Sequence, residues 1–103
     1  MVNVLTDNNF KNVIENSKGK VLVDCYASWC GPCRMLSPVL DELAEEIKDV
    51  TFYKLDVDEN PNTSDDYQIM TIPTILIFED GKLMSQNSGF MTKDMVLDLI
   101  NGR

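Results

Sequence analysis

The stretch from Val21 to Ala27 is apolar on both alternations of a strand, apart from one carboxylate at Asp24. Successive strand side chains point to opposite faces, so a strand that is apolar on both parities needs cover on both sides. Val21 and Val23 add the β-branching that suits a pleated, packed surface. The next periodic segment supplies one cover. Leu36, Val39, Leu40, Leu43 and Ile47 fall on one continuous helix face, with Asp41, Glu42, Glu45 and Glu46 off it. Pro38 lies inside this helix, where its missing N–H predicts a kink. Val50 to Val57 reads as a second strand, with Tyr53, Leu55 and Val57 on one face and Phe52, Lys54 and Asp56 on the other. A strand–helix–strand crossover predicts parallel neighbours.

The remaining segments extend this alternation. Thr6 is placed as the cap of a short helix whose apolar face is Phe10, Val13 and Ile14, closed by Lys18-Gly19-Lys20. Asn62 to Ile69 is weakly helical. Thr74 to Glu79 is a third apolar strand, Asp80-Gly81 is a hairpin turn signal, and Lys82 to Asn87 is the returning strand. Thr92 is placed as the cap of a last helix with Val96, Leu99 and Ile100 inward and Gly102 after it. With Val2 to Leu5 as an edge strand, the order is βαβαβαββα. The expected class is α/β, a central mixed sheet of about five strands with about four helices on its two faces. A chain of 103 residues has room for one core, so residues 1–103 are expected to form a single domain.

Composition narrows the chemistry. Histidine is absent, which removes Ser-His-Asp and Cys-His catalysis and His-ligated zinc together. The balance of 9 Lys and Arg against 17 Asp and Glu, net −8, works against capture of nucleic acid or anionic lipid. No apolar run approaches the roughly 20 residues that a membrane span needs. Met1 to Asp7 lacks a basic segment followed by a long apolar stretch, so a cytoplasmic, reducing compartment is expected.

Within this frame, Cys30-Gly31-Pro32-Cys33 sits where a buried strand feeds the long helix. Helical residues three apart have Cβ atoms about 5–6 Å apart, close to disulfide reach. The unpaired amides of a helix start lower the pKa of a thiol placed among them. Cys30 comes first and is expected at the exposed mouth, with Cys33 one turn further in. Cys30 is then the attacking thiolate and Cys33 the resolving thiol. Pro32 suits a first helical turn, and Gly31 removes bulk beside the sulfur. A zinc site would need two further ligands, and the only other cysteine, Cys25, is mid-strand, so no metal is expected. Asp24 would be a buried carboxylate in need of a reason, opposite in face to Val23 and Cys25, with Lys54 as partner. The alternative places Asp24 on an exposed strand surface. Pro73 precedes a strand and is barred from the ladder interior, so it wants a special turn.

Trp29-Cys30-Gly31-Pro32-Cys33 resembles the active-site motif of the thioredoxin family. The similarity covers almost the whole chain: Val23-Asp24, Pro38, Lys54-Leu55-Asp56-Val57-Asp58, Ile72-Pro73-Thr74, Asp80-Gly81 and Gly89. It implies a thioredoxin fold and a general protein-disulfide reductase. Two electrons would pass to a protein disulfide, with the Cys30–Cys33 disulfide as the oxidised form. The resemblance also implies that Asp24 shuttles a proton to or from Cys33. Pro73 would be a cis-proline facing the site. The backbone of Thr71 and Ile72 would pair with an extended stretch of substrate. Trp29, Gly31, Pro32, Ile72, Pro73, Gly89 and Phe90 would form an apolar docking surface. No cofactor would be bound; NADPH and flavin would act through a partner thioredoxin reductase. The other partners would be disulfide-containing proteins, without nucleic acid or membrane, and the chain would be a monomer.

The departures are few. Cys25-Tyr26 stands where the family often has Phe-Trp. Cys25 reads as a small core residue, with a regulatory third thiol as the alternative. Met70 lies near the expected groove, as a substrate contact or as ordinary packing. Two functional alternatives stand beside the general reductase. One is a redox protein dedicated to a single partner. The other is a binding subunit whose cysteines are dispensable. An isomerase or oxidant fits less well, because Gly31-Pro32 resembles the reducing branch.

Overall fold

The computed structural model describes residues 1–103 and places the early apolar run at the centre of a five-stranded sheet. The chain runs β1 Val2–Val4, α1 Phe10–Asn16, β2 Lys20–Tyr26, α2 Gly31–Glu46, β3 Val50–Asp56, α3 Pro61–Asp66, β4 Thr74–Glu79, β5 Lys82–Ser88 and α4 Lys93–Ile100. The spatial order is β1-β3-β2-β4-β5. β3 lies parallel to both β1 and β2, while β4 is antiparallel to β2 and β5 to β4. This is the expected element order and the expected mixed sheet.

Both faces of β2 are covered, as its two apolar parities require. On one face Leu22, Phe52 and Ile75 pack with Leu36, Leu40 and Leu43 of α2 and with Val96 of α4. On the other, Val21, Val23, Cys25 and Leu76 pack with Phe10 and Ile14 of α1. Phe10, Tyr67 and Phe78 meet edge-to-face there, with ring centroids 5.5, 5.9 and 6.0 Å apart. α2 runs on through Pro38 as one helix, with that proline on the exposed side.

Several boundaries differ from the sequence reading. Thr6 does not cap α1. Its carbonyl accepts from the N–H groups of Asn9 and Phe10, and the Asn9 Oδ1 accepts from the Thr6 N–H at 2.8 Å. That reciprocal turn delays the helix to Phe10. The third helix is Pro61–Asp66 rather than 62–69. Its start is fixed by Asp7, whose carboxylate accepts from the Asn62 and Thr63 N–H groups and from the Thr63 hydroxyl. Its end is fixed at Gln68, whose φ of 50° is left-handed and cannot continue a helix. Strand ends shift by a residue: β2 starts at Lys20 and ends at Tyr26, β1 ends at Val4, β3 ends at Asp56, and β5 reaches Ser88. The hairpin turn is as read, with Asp80 and Gly81 both left-handed at φ 51° and 84°. A Cβ at Gly81 would lie 3.3 Å from the Ile14 carbonyl oxygen, so glycine also fits the hairpin against α1.

Thr92 does cap α4: its hydroxyl accepts from the Met95 N–H at 3.2 Å. Lys93 then reaches across to Glu42 and Glu46 of α2 at 2.8 and 2.7 Å. Thr92→Ala is expected to lower unfolding free energy by about 1 kcal/mol, with Thr92→Ser close to the parent. Urea melts check this, and a Thr92→Ala protein as stable as the parent would remove the cap from the account.

Candidate active site

β2 and β3 run side by side to their carboxyl ends, and the Val57 N–H extends the pairing by donating to the Tyr26 carbonyl at 2.9 Å. Beyond Tyr26 the chain turns sharply, with the Cys30 N–H donating to the Ala27 carbonyl at 3.2 Å. Cys30 is the N-cap of α2, in extended backbone geometry, and its sulfur accepts from the Cys33 N–H at 3.2 Å. The sulfur therefore replaces the oxygen that a Ser or Asp cap would present to the first amides. Cys30 and Cys33 are joined as a disulfide, with their Cα atoms 5.2 Å apart. On reduction, negative charge on Cys30 would sit at the positive end of α2.

One expectation needs correction. Cys30 is not at an open mouth: it is 4% exposed, against 3% for Cys33. Both sulfur-bearing residues cluster with Ala27, and Ile72 packs over them together with Tyr26 and Val57. The Ile72 carbonyl oxygen lies 3.8 Å from the Cys30 sulfur. The segment before β4 thus folds across the helix start. The Ile72–Pro73 bond is cis. The Gly89 N–H donates to the Pro73 carbonyl at 2.8 Å, and the Thr74 hydroxyl donates to the Thr71 carbonyl at 2.6 Å. Around this lid-like segment, Trp29, Gly31, Pro32, Thr71 and Phe90 are exposed, Ile72 and Gly89 are half-buried, and Pro73 is buried.

Trp29 is 66% exposed yet held in place, because its indole N–H donates to Asp58 Oδ2 at 2.7 Å. Asp58 is positioned in turn by Asp56, whose carboxylate accepts from the Asp58 and Glu59 N–H groups. Sequence reasoning gave Asp58 no role, since periodicity carries no signal for a contact between two loops. Met70 is 89% exposed, which overturns its reading as ordinary packing.

Asp24 stands on the α2 face of β2, in register with Lys54 on β3 and Ile75 on β4. It is 5% exposed, so the exposed-surface alternative fails. Its Oδ1 has no hydrogen-bond partner. Asp24, Lys54 and Cys33 line one cavity of about 130 Å³. Burial pushes the Asp24 carboxyl from 3.8 up to about 7; Lys54 pulls it down and Asp41 adds to the rise. Cys25 lies on the opposite face, fully buried, and burial together with Asp24 pushes its thiol up to about 12. At neutral pH it is a protonated thiol packed in the core. No three His, Cys, Asp or Glu side chains stand close enough to hold a metal ion. The arrangement offers a bonded sulfur pair at a helix start, with a carboxyl that titrates near neutrality beside the second sulfur.

The Asp24 carboxyl carries a stability signature. Its folded pKa of about 7 lies above the unfolded 3.8, so its contribution is fully present below 3.8 and is lost as pH rises toward 7. Asp24→Asn keeps the shape and never ionises. It is expected to be a few kcal/mol more stable than the parent at pH 7, with the gap closing to under about 1 kcal/mol near pH 4. Urea melts at the two pH values check this. A variant less stable at pH 7 would make Asp24 a paired structural ion.

Comparison with known proteins agrees with the geometry. The family model described as Thioredoxin matches residues 1–102. A thioredoxin of Rickettsia prowazekii (strain Madrid E) is 45% identical over 102 residues, covering 98% of this chain and 97% of the relative. One from Chlamydia trachomatis serovar D is 43% identical over 101 residues, covering 98% and 97%. One from Alicyclobacillus acidocaldarius subsp. acidocaldarius is 50% identical over 93 residues, covering 89% and 88%. A matching domain over almost the full length, on a mixed sheet that delivers two bonded cysteines to a helix start, makes this chain a member of the thioredoxin family.

Proposed function

We propose that the chain works as a general protein-disulfide reductase, one domain over residues 1–103, in which Cys30 attacks and Cys33 resolves. The observation that carries this reading is the position of the Cys30 sulfur on the Cys33 N–H, at the start of α2, with the unpartnered Asp24 carboxyl sharing a cavity with Cys33. In the reduced protein the helix start favours thiolate at Cys30. That thiolate attacks one sulfur of the substrate disulfide, a new S–S bond forms, and the other substrate sulfur leaves as thiolate and takes a proton from water. Asp24, in its carboxylate form, accepts the Cys33 proton. The Cys33 thiolate then attacks the Cys30 sulfur, closes the Cys30–Cys33 bond and releases the second substrate thiolate, which is protonated in turn. Two electrons leave the protein, and the substrate gains two electrons and two protons. A carboxyl near 7 is matched to such a role, since it holds and releases a proton at little cost around neutral pH.

Trp29, Gly31, Pro32, Ile72, Pro73, Gly89 and Phe90 form the docking surface in this reading, with Thr71 and Ile72 offering backbone to an extended substrate. Lys54 supports Asp24 by moderating its pKa. No bound cofactor is assigned to this chain. Electrons come from NADPH through the flavin of a partner thioredoxin reductase. The protein acts as a cytoplasmic monomer on disulfide-containing proteins, without nucleic acid or membrane. No helix of the chain is long and apolar enough to cross a membrane, and the net charge of −8 disfavours nucleic acid.

The division of labour is directly testable. Iodoacetamide added to the native reduced protein is expected to modify Cys30 ahead of Cys33 and Cys25. Cys33→Ser is expected to accumulate a stable mixed disulfide with substrate, and Cys30→Ser none. Mass spectrometry of the adducts reads both. Labelling of Cys33 first, or trapping through Cys33, would reverse the mechanism.

A further inference from the structure

β1 and β2 both run parallel to β3, with β3 between them, so the chain leaves all three strands at one edge of the sheet. Three loops come together there: the loop with Asp7 after β1, the loop with Trp29 after β2, and the turn 56–60 at the end of β3. Trp29 is exposed, and it is the one tryptophan of the chain. Its indole N–H is held by the Asp58 carboxylate, in the middle of the turn. What aims Asp58 therefore aims Trp29.

The turn is closed from both sides. Within it, Asp56 Oδ1 accepts from the Asp58 and Glu59 N–H groups at 2.9 and 3.3 Å. At its base, the Asn60 side-chain amide donates to the Asp56 carbonyl at 2.9 Å. The oxygen of the same amide accepts from the Asp7 N–H at 2.8 Å, which ties the turn to the loop after β1. Asn60 is buried, and a buried amide is costly unless its polar atoms are partnered. Asp7 returns the contact with its side chain. Its carboxylate accepts from the Asn62 N–H at 3.1 Å, from the Thr63 N–H at 2.8 Å and from the Thr63 hydroxyl at 2.7 Å. We propose that Asn60 and Asp7 are positioning residues for substrate docking: together they clamp the turn 56–60 so that Asp58 holds the Trp29 indole in the orientation that a protein substrate meets.

This role rests on the reading of Trp29 as part of the docking surface. An indole that is already fixed loses little freedom when a substrate seats on it, so the clamp contributes to binding and not to sulfur exchange. Cys30, Cys33 and Asp24 lie outside the hydrogen-bonded route from Asp7 to Trp29. Loss of the clamp is therefore expected in KM for a protein disulfide, with kcat unchanged. A role confined to fastening the start of α3 would lower stability and leave the indole of the folded protein as it is.

The indole itself reports the outcome. Time-resolved fluorescence anisotropy of Trp29 in the disulfide form reads its local motion, and insulin reduction with dithiothreitol as electron source reads KM and kcat. Asn60→Ala is expected to free the indole and raise KM about fivefold, the scale of ordering one side chain on binding, with kcat as in the parent. Oxidation of the pre-reduced protein by hydroxyethyl disulfide, which makes no extended contact, is expected to keep the parent rate. Asp7→Ala is expected to act as Asn60→Ala does, so the test stands if one variant folds poorly. Asp7→Asn, which keeps an acceptor for Thr63, is expected to restore the parent values. Asp58→Ala removes the last link, and adding Asn60→Ala to it is expected to change neither reading further. Thr92→Ala, destabilised at α4, is expected to leave the indole and KM as in the parent, which separates positioning from stability. If Trp29→Ala raises KM while Asn60→Ala and Asp7→Ala leave the indole and KM unchanged, the clamp is refuted and the docking reading stands. A fall in kcat for insulin, or a slower reaction with hydroxyethyl disulfide, would put the effect at the sulfurs and also refute the clamp. If Trp29→Ala leaves KM unchanged, the docking reading fails, and the clamp with it.

Discussion

A sulfur takes the place of a capping oxygen at the start of α2, and the rest of the site is arranged around that substitution. The Cys30 sulfur receives the Cys33 N–H at 3.2 Å, so one contact caps the helix and holds that sulfur at the positive pole of α2. The geometry needs a rigid base, because a cap on a frayed helix would hold nothing. That base is the double-sided packing of β2. α2 buries Leu36, Leu40 and Leu43 against the sheet, and Leu22, Phe52 and Ile75 receive them. The strand that delivers the chain to Cys30 cannot shift without opening both cores.

The same packing makes Asp24 useful. A carboxyl in an apolar sheet loses stability at neutral pH when it ionises, and nothing in the fold repays that by an ion pair, since the ion pairs of this chain lie at its exterior. What the placement yields is a proton affinity near neutrality beside Cys33. Cys25, one residue along and on the opposite face, shows the contrast. It is also buried, but its thiol is driven to about 12 and is silent. Strand parity sets the two side chains in different cores, and the lower starting value of a carboxyl leaves Asp24, not Cys25, near neutrality.

Much of this was legible because it depends on local pattern. The alternation of Val21 to Ala27, the stripe from Leu36 to Ile47 and the Asp80-Gly81 turn each act over a few residues, and the fold order follows from them. Asp24 was visible as the single carboxylate in that run, and Lys54 as the lone cation on the facing strand, which lies in register with Asp24 and lowers its pKa without forming an ion pair. What sequence missed depends on contacts between distant segments. The burial of Cys30 comes from Ile72, 42 residues away, folding over the helix start. The restraint on Trp29 comes from Asp58, 29 residues away, through a turn that Asp56 organises. Thr6 does not cap α1 because the Asn9 side chain reaches back to its N–H, a contact that the residue types alone do not rank. The cavity is a property of side-chain packing between β2, β3 and α2, and no linear pattern encodes it.

The claim underneath the whole account is that the start of α2 holds Cys30 as a thiolate. Thiolate ultraviolet absorbance followed against pH in the reduced protein reads this directly, with Cys33→Ser to isolate Cys30 and with Cys25 out of range at about 12. The account expects Cys30 to titrate well below the roughly 8.5 of a free cysteine. A Cys30 thiol that titrates at or above that value would show that burial under Ile72 outweighs the helix start, and the mechanism would lose its nucleophile.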